Sequence, residues 1–435
     1  MKTGEKRTGV PRHDRRPGRR RPTPLFTALP VIFGACAAPA DETAAPRSSD
    51  LTILPVEFER PAGSGEPNLH ATADGTALLT WLEPTGDEWS LMLATRREGQ
   101  WSDPLVVRRS DSFFVNWADF PSSVQMAGGE IAVHWLERVA DAPYAYHVML
   151  SVSSDGGATW SEPVRAHDDR SPTEHGFVSM VPWEGGAAIT WLDGRAMYDP
   201  DSSEPEPAGD GHEAAEGAMS VRFRTLLPDG RLGAEVLLDP RTCECCQTTL
   251  TRSSEGLVAA YRDRSEAEVR DIAVVRGLGE TWSEPAHVAA DDWTIPGCPV
   301  NGPQLSARES GVAGAWYTGA GGPHAFAAFS SDGGESFGPP IRIDEGLPIG
   351  RVDIEYVDAG SAIVTWVEGG DGGAQVMARR VFDDGSTGAA FTVSETSGER
   401  ASGFPRMVRI GDDLVVAFTL PGDTGGVRVR SVRLD

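Results

Sequence analysis

The sequence predicts an all-β protein, a β-propeller of four-stranded antiparallel blades, and three observations carry that expectation. First, an apolar strand ending in an aromatic recurs seven times: Leu78-Leu79-Thr80-Trp81, Val133-His134-Trp135, Ile189-Thr190-Trp191, Ala259-Ala260-Tyr261, Gly314-Ala315-Trp316, Val364-Thr365-Trp366 and Val416-Ala417-Phe418. The aromatics are 54, 56, 70, 55, 50 and 52 residues apart, and a fixed period of this size marks a repeat architecture. Second, alternating apolar and polar runs bounded by Gly, Asp and Pro surround each of these strands, the pattern of half-buried β-structure. Third, one turn sequence returns: Ser153-Ser154-Asp155-Gly156-Gly157-Ala158-Thr159-Trp160 and Ser330-Ser331-Asp332-Gly333-Gly334-Glu335-Ser336-Phe337.

In chain order, residues 1–36 read as an export signal. Nine Lys/Arg precede residue 25, and the apolar run Leu25 to Ala35 is too short to span a bilayer. It ends Phe33-Gly34-Ala35-Cys36, which resembles a bacterial lipobox and would make Cys36 the lipidated N-terminus. Residues 37–50, rich in Ala, Pro and Ser, read as a flexible tether. The expected location is the cell envelope, with membrane contact only through the N-terminal lipid. Removing residues 1–35 takes away nine positive and two negative charges and moves the net charge from −25 to −32. Lys occurs only at positions 2 and 6. Such acidity argues against nucleic acid as a partner.

Residues 51–435 then form one propeller. Four antiparallel strands per unit of about fifty residues make a blade. The last unit, Phe404 to Leu434, has only three strands, and Leu51 to Glu59 is expected to supply its fourth. Such a split blade closes the ring and hides its edges. The count is seven blades, with six as the alternative. The third unit carries an insertion, about Ala196 to Gly217, rich in acids, Pro and Gly.

In each of the two repeated turns the Asp and Ser side chains can accept from turn N–H groups, and Gly supplies the φ > 0 positions. Worn copies stand at Gly279-Glu280-Thr281-Trp282 and Gly99-Gln100-Trp101. The pattern Ser-x-Asp-x-Gly-x-Thr/Ser-aromatic resembles the Asp box, or BNR repeat, of the sialidase superfamily. The resemblance implies that Ser153, Asp155, Gly157, Trp160, Ser330, Asp332, Gly334 and Phe337 are structural, on turns facing away from the pocket. The pocket is then expected on the opposite face, among the loops that link blades and those that join second to third strands. Sialidases have six blades, grip a carboxylate with three arginines, and use an Asp acid/base with a Tyr activated by a Glu. Their Arg-Ile-Pro motif is missing here, and Glu355-Tyr356, the adjacent Glu–Tyr pair, lies within a strand where neighbours face opposite ways.

The loops expected at the channel mouth supply the candidate catalytic residues Asp119, Glu174, Arg262, Asp263, Arg264, Arg351, Asp353 and Arg400. Arg264, Arg351 and Arg400 are candidates for an arginine cluster, because guanidinium forks suit a carboxylate. A glycosidase needs two facing carboxylates, to be drawn from Asp119, Glu174, Asp263 and Asp353. Glu83, Glu137, Asp193, Asp263 and Glu368 each follow a strand aromatic by two positions, and most of them read as a solvated rim.

Cys243, Cys245, Cys246 and Cys298 occupy equivalent loops of neighbouring units when Leu250 is set against Leu305. Two readings stay open: disulfides, as an even number of cysteines outside the cytoplasm suggests, or a thiolate site for Zn or Cu. Three classes of function follow. One is an exported, lipid-anchored, sialidase-like propeller recognising or processing glycans at the channel mouth. A sialidase-type glycoside hydrolase proper is the second. The third is a metal- or redox-linked envelope protein built on the cysteines.

Overall fold

The computed structural model describes residues 51–198, 217–278, 281–370 and 373–434. The export segment with Cys36, the tether 37–50 and insertion residues 199–216 lie outside the described residues. Strands form seven antiparallel sheets arranged as a ring, each inner strand packing on the next and the last on the first.

Blade 1 comprises Gly65–Ala71, Ala77–Thr85, Glu88–Arg97 and Leu105–Ser110; blade 2 comprises Ser122–Gln125, Ile131–Arg138, Tyr146–Ser153 and Val164–Arg165. Blade 3 runs His175–Trp183, Gly186–Asp193, Met219–Leu226 and Val236–Thr242, and blade 4 runs Thr249–Ser253, Gly256–Arg262, Ile272–Leu278 and Ala286–His287. Blade 5 has Gln304–Arg308, Gly311–Thr318, His324–Ser330 and Ile341–Arg342. Blade 6 has Leu347–Asp358, Ser361–Gly370, Gly373–Phe382 and Phe391–Thr396. Blade 7 takes Arg406–Ile410, Asp413–Leu420 and Gly426–Leu434, with Leu51–Glu59 as its outer strand against Gly426–Leu434. The split blade is therefore present, and the count is seven.

The recurring apolar strand is the second of each blade. It is sandwiched between neighbouring sheets, so both of its faces are buried; all eight residues of Gly186–Asp193 are. Its terminal aromatic fills the gap to the preceding blade, and Trp81, Trp191, Trp316 and Trp366 are fully buried. A buried indole N–H needs an acceptor. The residue two positions on shares the same strand face, and here it carries the carboxylate. Trp81 donates to Glu83 at 3.0 Å, Trp135 to Glu137 at 3.0 Å, Trp191 to Asp193 at 2.9 Å and Trp366 to Glu368 at 2.5 Å. These four acids are acceptors for the core, which corrects their reading as a solvated rim. Blades 4 and 5 solve the same problem with distant acids: Tyr261 donates to Asp239 and Trp316 to Asp291.

Inner strands are stitched to one another by side chains that accept the next strand's backbone N–H. Asp119 accepts from Phe177, Ser179 from Leu250, Thr249 from Leu305, Ser306 from Tyr356 and Asp353 from Met407, over 2.7 to 3.3 Å. Leu250 and Leu305 do hold equivalent positions, each paired with the residue two before its blade's aromatic.

Both complete Asp boxes close the turn after a third strand. Ser153 Oγ accepts from Gly157 N at 2.8 Å and donates to Asp155, whose other contacts are Thr159 N and Oγ1. Ser330, Asp332, Gly334 and Ser336 repeat this geometry. These hydrogen bonds, from Ser336, Ser330 and the backbone, hold the Asp332 carboxyl down to about 2. Gly157 and Gly334 have φ of 92° and 85°. A Cβ on Gly157 would lie 3.0 Å from Leu93 of blade 1, and one on Gly334 3.1 Å from Val258 of blade 4. Each box is thus a clasp on the preceding blade, and Trp160 and Phe337 pack into the interblade clusters beside it.

Candidate functional site

The ring encloses a central cavity of about 290 Å³ with a polar lining that includes Asn68, Ser122, Ser179, Gln304, Glu355 and Arg406. Polarity follows from topology: an inner strand has no partner sheet on its channel side. Burial there pushes the Glu355 carboxyl up to about 8, with Asp353 adding to the shift. Tyr356 points the other way, into the core between blades 5 and 6, as strand alternation requires.

At the mouth, loops from several blades meet. Asn116-Trp117-Ala118-Asp119 leads into blade 2, and its Trp117 stacks on Phe404 of the blade 7 loop at 5.7 Å. Phe120 also meets Phe404. Gln247, from the blade 4 loop, spans the mouth: its Nε2 donates to Ala118 O at 2.7 Å, and its Oε1 accepts from Gly302 N at 3.0 Å.

Arg351 is buried beneath this layer. Its guanidinium donates to Glu399 O, Ser402 Oγ and Gly403 O, and lies 4.9 Å from the Trp117 ring centroid. Burial pulls its pKa down to about 10. Its φ of 55° is left-handed, and its N–H donates to Asn301 Oδ1 at 2.7 Å. Arg351 is therefore spent on holding the blade 7 loop. Arg400 is exposed and lies 6.0 Å from the same indole. Arg264 does not join them. It is bound to Glu244 and, at 2.7 Å, to Glu268. The three-arginine grip is not assembled.

Arg262 is also structural. Fully buried, it donates to the carbonyls of Asn301, Arg270 and Tyr317 and stacks 4.8 Å from the centroid of Trp293. Asp263 lies 3.2 Å from His287 Nε2. Asp353 accepts from Ile354 N and Met407 N, with Arg406 3.6 Å away. Burial raises its pKa.

Two of the candidate carboxylates do converge. The Tyr146 hydroxyl lies 2.7 Å from Glu174 Oε1 and 3.4 Å from Asp119 Oδ2. Tyr146 is buried, its ring stacked on Phe114 at 3.9 Å. Burial, Glu174 and Asp119 all drive its pKa upward, so the phenol keeps its proton. Burial pushes Asp119 up to about 7, against hydrogen bonds from Phe177 N and Tyr146 that favour its ionised form. Tyr146 went unread in the sequence. Its signal was register: it opens a third strand, whose end lies beside the next linking loop.

The sulfurs gather at the junction of blades 4 and 5. Cys245 and Cys298 form a disulfide joining the two linking loops. Cys243 and Cys246 are free, buried, and 3.2 Å apart. One sulfur each from Cys243, Cys245 and Cys298 falls within 4.8 Å of the others. Arg270 donates to Cys243 Sγ at 3.3 Å and to Glu244 at 2.7 Å. Burial pushes the Cys243 thiol up, but the Cys246 hydrogen bond and the Arg270 guanidinium outweigh it and bring the pKa down to about 7. Burial, with Cys243 beside it, drives Cys246 the other way. The two free sulfurs thus differ in acidity and lie beside the Cys245–Cys298 disulfide.

No family model matches the sequence, and no curated protein matches it. Solved structures do. The BP39L lectin of Burkholderia pseudomallei is similar over 86% of this chain and 97% of its own, with a TM-score of 0.55 at 15% identity. A polysaccharide lyase, Uly1, is similar over 87% and 91%, with a TM-score of 0.50 at 10% identity. A mutant of the NanB sialidase of Streptococcus pneumoniae is similar over 83% of each chain, with a TM-score of 0.46 at 12% identity. These likenesses are of fold alone, and in fold the chain is a seven-bladed β-propeller.

Proposed function

We propose that this propeller recognises glycans at its mouth, as an exported protein held to the cell envelope through Cys36. The observation that carries the reading is the Trp117 platform. A half-buried indole sits at the mouth, backed by Phe404, with Arg351 beneath and exposed Arg400 beside it. Sugar rings present an apolar C–H face to an indole, while guanidinium donors reach hydroxyl or carboxylate oxygens. The lectin and the polysaccharide lyase with this fold support the reading at the level of architecture. Recognition is favoured over sialidase chemistry because Arg351, Arg262 and Arg264 are engaged within the protein.

The test is a screen of the purified protein against neutral and acidic oligosaccharides, followed by calorimetry on any ligand found. Trp117→Ala is expected to weaken binding about tenfold or more, roughly 1.4 kcal/mol. Binding that is unchanged in Trp117→Ala, or no binding across the panel, would overturn the reading.

The Tyr146–Glu174 hydrogen bond beside Asp119 favours a second reading, glycan cleavage at the same mouth. Product release from a bound oligosaccharide, lost in Tyr146→Phe with binding retained, is its signature. The Cys243/Cys246 pair favours a third, thiol redox chemistry or a Zn or Cu site at the sulfurs. Thiol counts before and after reduction, with metal content, test it.

A further inference from the structure

A different set of ligating side chains lies at the junction of blades 2 and 3. His147 follows Tyr146 in the third strand of blade 2, His167 and Asp169 lie in the loop after that blade, and His175 opens the inner strand of blade 3. The rings of His167 and His175 stack in parallel, 3.8 Å apart, and His147 meets them edge-on at 4.7 and 5.2 Å. Their exposures are 6% for His147, 1% for His167 and 0% for His175. One ring nitrogen from each falls within 4.8 Å of the others.

Proton placement follows from the partners. His167 Nδ1 lies 3.1 Å from Asp169 O, and His175 Nδ1 lies 3.1 Å from Thr173 O and 3.3 Å from Tyr146 O. A carbonyl oxygen only accepts, so each Nδ1 carries a proton and each Nε2 of a neutral ring presents a bare lone pair. Both Nε2 atoms are buried without a hydrogen-bond partner, and so is His147 Nδ1. His175 Nε2 moreover stands 3.1 Å from Asp169 Oδ2 and 3.7 Å from Asp193 Oδ2. A lone pair against carboxylates is repulsive unless a cation lies between them. One cation among the three rings would meet all of the unpartnered nitrogens, which a proton on one ring would not. Asp193 is already committed to Arg195 and Trp191, while Asp169 Oδ2 accepts from Ser171 N and Oγ, neutral donors that leave its charge for a cation.

Three imidazoles and a carboxylate, with the Nδ1–H groups of His167 and His175 anchored on backbone carbonyls, are the donor set of a borderline divalent transition ion. We propose that His147, His167, His175 and Asp169 bind one such ion, of the Zn²⁺ type. The ion would tie the linking loop that carries Glu174 to the strand that carries Tyr146. The proposal is independent of glycan recognition and of the sulfur cluster.

The test strips the purified protein with chelator, then titrates it with Zn²⁺ by calorimetry and with Co²⁺ by absorption. About one equivalent of Zn²⁺ is expected, with a Kd of roughly 1 μM or tighter, and loss of about 100-fold or more in His167→Ala and His175→Ala. Cys243→Ser/Cys246→Ser is expected to keep that affinity. The Co²⁺ form of the unsubstituted protein is expected to show visible ligand-field bands without an intense near-ultraviolet thiolate charge-transfer band. That spectrum decides the matter even if a His variant fails to fold. No binding by the unsubstituted protein, a thiolate band as the sole signal, or affinity unchanged in folded His167→Ala would each overturn the proposal.

Discussion

The junctions of blades 2–3 and 4–5 hold the same place in the repeat and treat buried polar groups in opposite ways. At 4–5, Glu244 is 1% exposed, yet Arg264 and Arg270 bind it, Glu268 binds both arginines, and a disulfide joins the two loops. The charges there are matched within the protein. At 2–3, three buried imidazoles present nitrogens with no hydrogen-bond partner to a carboxylate. Burying polar groups without partners costs stability. One junction matches its carboxylates with arginines inside the protein, and the other leaves imidazole nitrogens that the proposed cation would meet. Dense charge alone therefore does not mark a site; what marks it is the polar capacity left over.

The comparison breaks most sharply at Glu244. Glu244→Ala leaves the buried Arg270 and the half-buried Arg264 short of their partner and is expected to cost about 3–5 kcal/mol, read from the denaturant midpoint. His175→Ala in metal-free protein is expected to cost far less, because no matched charge is lost. Equal losses would erase the distinction between the junctions.

Cys298→Ser removes the clasp between loops 53 residues apart in sequence and is expected to cost about 2–4 kcal/mol without reductant. With reductant, unsubstituted protein and variant should converge. A gap that persists would mean that Cys298 acts through packing instead.

A third effect is a slope with pH at the 2–3 junction. Asp119 titrates near 7 folded, against an ordinary value of 3.8. Between those values the folded state binds more protons than the unfolded chain, so stability is full below about pH 4 and falls as pH rises toward 7. Asp119→Asn retains an acceptor for Phe177 N and is expected to flatten that slope. Denaturant midpoints at pH 5 and pH 8 measure it; an unchanged slope would assign the dependence to Glu355 or another buried acid.

Much of the ring was legible because blade burial is a local demand. A second strand covered on both faces must be apolar, and its terminal aromatic must find an acceptor on its own face. The acid two positions on is therefore visible as a pattern; along the chain it reads as a solvated rim, and the structure makes it the acceptor of Trp81, Trp135, Trp191 and Trp366. Cys243 and Cys298 were placed together by repeat register alone. Which sulfurs pair depended on loop geometry that spacing does not carry. The convergence of Tyr146, Glu174 and Asp119 needed two blades and the loops into both.

The sequence by itself determined the class of fold, a count of seven blades with six left open, the closing strand from residues 51–59 and the structural turns of the Asp boxes. Each follows from periodicity and turn chemistry within about fifty residues. Only the tertiary structure decided which charges are spent. Arg351 and Arg262 read as ligands-in-waiting along the chain, yet they cap carbonyls brought from other loops. His147, His167 and His175 read as three scattered histidines, yet ring closure stacks them with their lone pairs unmet. Whether a polar group is satisfied depends on neighbours supplied by other blades, and those neighbours are set by the packing of the ring.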